Sequence, residues 1–112
     1  MKHIKIANIN FAFSEEDGLT TSDGHGAYGL CSHQDLTIKI EKKFPSEEKR
    51  KEVLLHEVIH GVIDMYDIQV PEDKMESLVV VLARGMMQVF QDNPELVKEL
   101  FNVKATRTIQ LR

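Results

Sequence analysis

The sequence predicts an α+β domain, with its strands in the first part of the chain and its helices in the second. Up to residue 44, apolar and polar residues alternate over short runs separated by polar, glycine-bearing stretches, which is the period of strands. From residue 46 to 102, apolar residues recur at three- and four-residue intervals, which is the period of helices. Breaks near Pro45, Pro71 and Pro94 divide this second part into a long helix, a second long helix and a short third one.

The first strand is expected over His3 to Phe13, carrying Ile4, Ile6, Ile9, Phe11 and Phe13, with a bulge near Ala7-Asn8 where the alternation changes phase. Ser14 to Gly26 is polar and reads as a loop. Ala27 to Ser32 is a short strand, His33-Gln34-Asp35 a turn, and Leu36 to Ile40 a strand with Leu36, Ile38 and Ile40 on one face. These last two strands form a hairpin. Pro45-Ser46-Glu47-Glu48 starts a helix: Ser46 can cap it, and the two acids suit its positive end. That helix is expected to run to about Tyr66, with apolar residues around much of its second half. Asp67 to Pro71 connects it to a helix over Glu72 to Gln91, with Met75, Leu78, Val79, Leu82, Met86, Val89 and Phe90 on one side. Asp92-Asn93-Pro94 ends that helix and begins a short one from Glu95 to Phe101. A single domain is expected over residues 1–102, with a polar, mobile tail over 103–112.

At 112 residues the chain suits one domain with a modest core, to which a bound metal would add stability. A net charge of -4 argues against a general nucleic-acid binder. The single cysteine, Cys31, excludes an intrachain disulfide and favours a reducing compartment. Met1 to Ile6 lacks the apolar run of a signal peptide, and no stretch reaches the length of a membrane span. The expectation is a cytoplasmic protein without a membrane partner, either a monomer or a small homo-oligomer.

The chemistry is concentrated in Leu55-His56-Glu57-Val58-Ile59-His60-Gly61. Residues four apart share one side of a helix, so His56 and His60 can offer two imidazole nitrogens to one zinc ion. Glu57 follows the first histidine and is placed to act as general base toward a zinc-activated water. The pattern alone is weak: with 5 histidines in the chain, a shuffled sequence yields HExxH about once in fifty tries. Its position inside an apolar helical run strengthens it, because buried imidazoles and carboxylates are costly unless paired or metal-bound. A catalytic zinc needs a third protein ligand. Glu76 is preferred, because an antiparallel return of the second helix brings it beside the histidines; Asp73 and Glu72 are the fallbacks. Asp64, one turn past His60, suits a supporting role, accepting a hydrogen bond from a ligand histidine.

With HEVIH on one helix and a glutamate on the next, the chain resembles the gluzincin group of zincins. It is most similar to the small ImmA/IrrE-like metallopeptidase domains and to minimal phage- or prophage-encoded zincins. The likeness runs from about Tyr28 to Pro94 through Tyr28-Gly29-Leu30-Cys31, Leu36-Thr37-Ile38-Lys39-Ile40, the HEVIH segment, Met75-Glu76-Ser77-Leu78 and Gln91-Asp92-Asn93-Pro94. It implies a small twisted antiparallel sheet packed on the HExxH helix, zinc held by His56, His60 and Glu76, Glu57 as general base, and proteolysis of an intracellular protein. Within these 112 residues no fused DNA-binding or sensor domain of the kind ImmA/IrrE proteins carry is expected.

The function expected is therefore that of a zinc metallopeptidase, a hydrolase acting on a protein or peptide substrate. The alternative is a zinc-binding protein of zincin fold that grips a partner without catalysis, and a third is a zinc hydrolase acting on a non-peptide substrate. His3, His25 and His33 read as surface residues, Tyr66 as a partly buried core tyrosine, the alternative being an oxyanion stabiliser, and Cys31 as a small buried hydrophobe rather than a blocking zinc ligand. Lys49-Arg50-Lys51 reads as a solvated helix face.

Overall fold

A computed structural model describes residues 1–101; the tail read as mobile lies outside them. The fold is α+β: a small four-stranded sheet and three helices, in the order β1 (His3–Ile6), β2 (Ile9–Glu16), β3 (Gly29–Ser32), β4 (Thr37–Glu41), α1 (Glu47–Met65), α2 (Glu72–Asp92) and α3 (Pro94–Phe101). No helix among the described residues is long and apolar enough to cross a membrane.

The sheet is mixed, not antiparallel as expected. Its order is β1-β2-β4-β3, and β2 runs parallel to β4, with Ala12 opposite Thr37 and Glu16 opposite Glu41. The 17–28 connection is the reason. It carries the chain past the position of β4 and lays β3 on the outside, so the β3–β4 hairpin brings β4 back in the direction of β2. Buried Leu19 anchors this connection. The Glu41 carboxylate accepts hydrogen bonds from the backbone N–H groups of Leu19 at 2.9 Å and Gly18 at 3.2 Å.

The phase change at Ala7-Asn8 is a hairpin turn rather than a bulge. Both residues have left-handed backbones, with φ 52° and 64°, as a two-residue type I′ turn requires. The expected single strand is thus two antiparallel strands that pair His3 with Ala12 and Ile6 with Ile9. The segment read as a loop from Ser14 begins as strand, because β2 continues to Glu16. Leu36 does not join Ile38 and Ile40 on the buried face. Its φ of 56° places it in the β3–β4 turn, partly exposed, and β4 starts one residue later.

One sheet face packs on α1: Ile6, Phe11 and Ile38 are buried, with Val58, Val62 and Met65 of α1 against them. Helix α1 starts where its cap signal predicts. Extended Ser46 accepts a hydrogen bond from Lys49 N–H at 3.0 Å. It ends with Asp67 in the left-handed region (φ 52°), Ile68 N–H donating to Ile63 C=O and Asp67 N–H to Asp64 C=O. This is the Schellman pattern, with aspartate where glycine is usual. The reversal sends α2 back antiparallel to α1, so that residue 60 meets residue 76 while residue 52 meets residue 84. Ile59 and Ile63 bury against Val79 and Ala83 and hold the two helices in this register.

Candidate metal centre

Helical spacing puts His56 and His60 one turn apart on α1, with ring centroids 4.9 Å apart. Both Nε2 atoms face the carboxylate of Glu76, early in α2. His60 Nε2 lies 2.6 Å from Oε1, and His56 Nε2 lies 3.4 Å from Oε2. The ligand atoms of these three residues all lie within 4.8 Å of one another. Atoms bound at about 2.0–2.1 Å to one tetrahedral centre stand about 3.3 Å apart, so small side-chain adjustments bring this set around one ion. Two imidazole nitrogens and a carboxylate oxygen form a donor set that can hold a metal ion. Glu72 and Asp73, in the exposed first turn of α2, do not belong to the group.

The surroundings differ from one member to the next. The His56 and His60 side chains are 17% and 21% exposed, whereas Glu76 is 70% exposed, so the group is walled on the α1 side and open on the other. Burial pulls the His56 pKa down, against the raising pull of the Glu76 charge, and the neighbouring His60 lowers it further. The depressed pKa favours the neutral imidazole, which is the metal-binding form. Glu57 is only 7% exposed and is the one buried charged residue among those described. Burial, aided by the Glu76 charge, pushes its carboxyl up to about 7.

Gly29 on β3 gives Glu57 its space. A Cβ at Gly29 would stand 2.8 Å from Glu57 Oε2 and Cγ and 2.9 Å from Val53 Cγ1. The close approach of β3 to α1 therefore requires glycine at this point. Two hollows flank His56 and Glu57. One, of about 270 Å³, also takes in Leu30, Cys31, His60, Asp64 and Glu76. The other, of about 230 Å³, is bounded by Tyr28, Lys49, Glu52, Val80 and Arg84. Arg84 bridges to Glu52 at 2.8 Å, and Tyr28 stacks on Phe44. Val80 and Arg84 do not stand out in the sequence, because only the register of α2 against α1 brings Arg84 to Glu52. Tyr28, Gly29 and Lys49 stand out there for other reasons, and the role of Gly29 depends on which strand lies over Glu57.

The remaining sequence candidates contribute no atom to the ligand group. Asp64 faces His33 Nδ1 at 3.3 Å rather than either histidine of the motif. His25 pairs with Asp23 in an exposed loop. Tyr66 is largely exposed at the α1 C-cap, not in the core. Cys31 lines the first hollow but contributes no ligand atom to the group. Burial, with the Glu57 and Asp64 charges, pushes its thiol up to about 12, which keeps it protonated at neutral pH.

No family model, no curated protein and no solved structure matches this chain.

Proposed function

We propose that this protein is a zinc-dependent peptidase, with His56, His60 and Glu76 as metal ligands and Glu57 as general base. The observation that carries the reading is the convergence of both Nε2 atoms on the Glu76 carboxylate, with a buried, neutral-leaning Glu57 adjoining one of them. Nitrogen-rich donors favour zinc over magnesium or calcium, which take oxygen ligands. Zinc, when bound, polarises a carbonyl and makes water acidic enough to attack near neutral pH.

The chain's own residues supply the rest. A carboxyl near pKa 7 is suited both to accept a proton from the attacking water and to return it to a leaving amine. The mostly exposed Glu76 leaves one side open for substrate. Strand β3 is the edge of the sheet and borders the hollow beside the ligands, so an extended peptide adding to that edge lies across His56 and His60. The HEVIH segment and the glutamate on the next helix are the basis for placing the chain beside the ImmA/IrrE-like zincins, with an intracellular protein as substrate.

The test pairs metal analysis with a Glu57→Gln variant. Wild type is expected to hold one zinc per chain and to cleave an unfolded protein substrate. The variant is expected to keep the zinc and to lose cleavage by about 10²–10⁴-fold, the usual contribution of a general base. Equal cleavage by both proteins would remove Glu57 from the mechanism. Zinc retention with no cleavage by wild type would favour a zinc-holding, partner-binding protein.

A further inference from the structure

Helix α2 carries more apolar surface than α1 covers. Val79 and Ala83 are buried toward α1, while Leu78, Val81, Leu82, Met86 and Val89, on the side turned away, are 37–66% exposed. Gly85 lies in the middle of this stripe, and among the described residues nothing lies within 4 Å of where its Cβ would be. We propose that this stripe is the contact between two copies of the chain, paired antiparallel through α2 about a twofold axis.

The spacing selects a second copy over an unrelated partner. The stripe occupies positions 78, 81, 82, 85, 86 and 89, a series of steps that reads the same from either end. An antiparallel copy therefore meets its own pattern, which is what an isologous interface requires. Leu78 of one copy lies against Val89 of the other, and Leu82 lies over Gly85. A glycine in mid-helix weakens the helix, and nothing among the described residues needs its missing side chain. Opposite Leu82 of a second copy, that bare backbone becomes a seat for a leucine.

Charge fits the same register. Lys74 and Asp92 lie along one edge of the stripe, nearly equidistant from its centre, so each lysine meets the aspartate of the other copy and the pair forms twice. Ser77, Arg84, Gln88 and Gln91 form a polar flank between the stripe and the α1-facing side, and Arg84 there pairs with Glu52 of α1. Glu76 projects toward α1, away from the stripe, so pairing leaves the metal ligands uncovered and does not depend on their chemistry.

Sedimentation velocity on the full chain across the micromolar range tests this. A dimer is expected, and Leu82→Glu, an exposed substitution that leaves the monomer's core intact, is expected to weaken it roughly thirtyfold or more. Disulfide trapping tests the geometry. The Leu78→Cys/Val89→Cys double variant is expected to form a covalent dimer, whereas neither single variant does. The twofold sets residue 78 of each copy about 16 Å along the helix from its own twin. A monomer at every concentration overturns the proposal, whether hydrogen exchange finds the stripe open or shielded by residues 102–112. A dimer insensitive to Leu82→Glu, or one trapped by the single variants, also overturns it.

Discussion

Glu57 shows how much one buried carboxyl can influence. Its pKa rises from 4.5 to about 7, first through burial and then through the Glu76 charge. The neutral form is thus the one the fold accommodates. Below about pH 4.5 the group is protonated whether the chain is folded or not, and its contribution is fully present. That contribution declines as pH rises and is gone above about pH 7, where folding must bury a charge, at a cost of about 3 kcal/mol. Metal-free Glu57→Gln is therefore expected to match wild type near pH 4 and to exceed it by up to that amount near pH 8, as measured by urea unfolding at each pH. Gly29 belongs to the same scale. Gly29→Ala places a methyl group 2.8 Å from Glu57 Oε2 and is expected to cost about 1–3 kcal/mol and to lower kcat without lowering zinc content. Unchanged kcat would show that Glu57 tolerates displacement.

At the scale of elements, close approaches decide which strand meets which helix. Gly61, just after the second histidine of the motif, is a point of close approach between β1 and α1. A Cβ there would stand 2.6 Å from Ile6 Cδ1. Gly61→Ala gains about 1 kcal/mol of helix propensity against the displacement of the Ile6 side-chain tip, so its net effect is expected within about 1 kcal/mol of zero. Ile6→Val, which removes that Cδ1, is expected to shift it toward stability in the double variant. Additive effects in a thermal or urea double-mutant cycle would deny the contact. The start of α1 gives a simpler case: Ser46→Ala leaves the Lys49 N–H without its acceptor and is expected to cost about 1 kcal/mol.

At the scale of the whole molecule, two small clusters share the work of the core. One lies between the sheet and α1 and the other between α1 and α2, the second resting on Ile59, Ile63, Val79 and Ala83. The His56, His60 and Glu76 group bridges the same two helices, so an ion held there would clasp α2 to α1. Zinc at roughly a thousandfold its Kd is expected to add about 4 kcal/mol, and a chelator to remove it, seen as a fall in Tm by calorimetry. Glu76→Ala, which lacks the α2 half of the clasp, is expected to lose most of that difference. An equal chelator effect in both proteins would mean that Glu76 contributes nothing to metal binding.

Much of this was legible in the sequence because it is local. The three helices, the Ser46 cap and the β3–β4 hairpin follow from periodicity and short-range hydrogen bonding, which neighbouring residues determine by themselves. The facing of His56 and His60 follows from the helical repeat alone. The readings that failed are those in which one local pattern suits two structures. A phase change at Ala7-Asn8 fits a bulge or a tight turn, and only the pairing of Ile6 with Ile9 decides between them. Alternation at Leu36, Ile38 and Ile40 is the same whether or not a turn takes the first residue. The parallel pairing of β2 with β4, the place of Gly29 over Glu57 and the meeting of Arg84 with Glu52 depend on where distant segments come to rest. Hydrophobic burial drives those segments together but carries no direction, so only the packed tertiary structure selects their register.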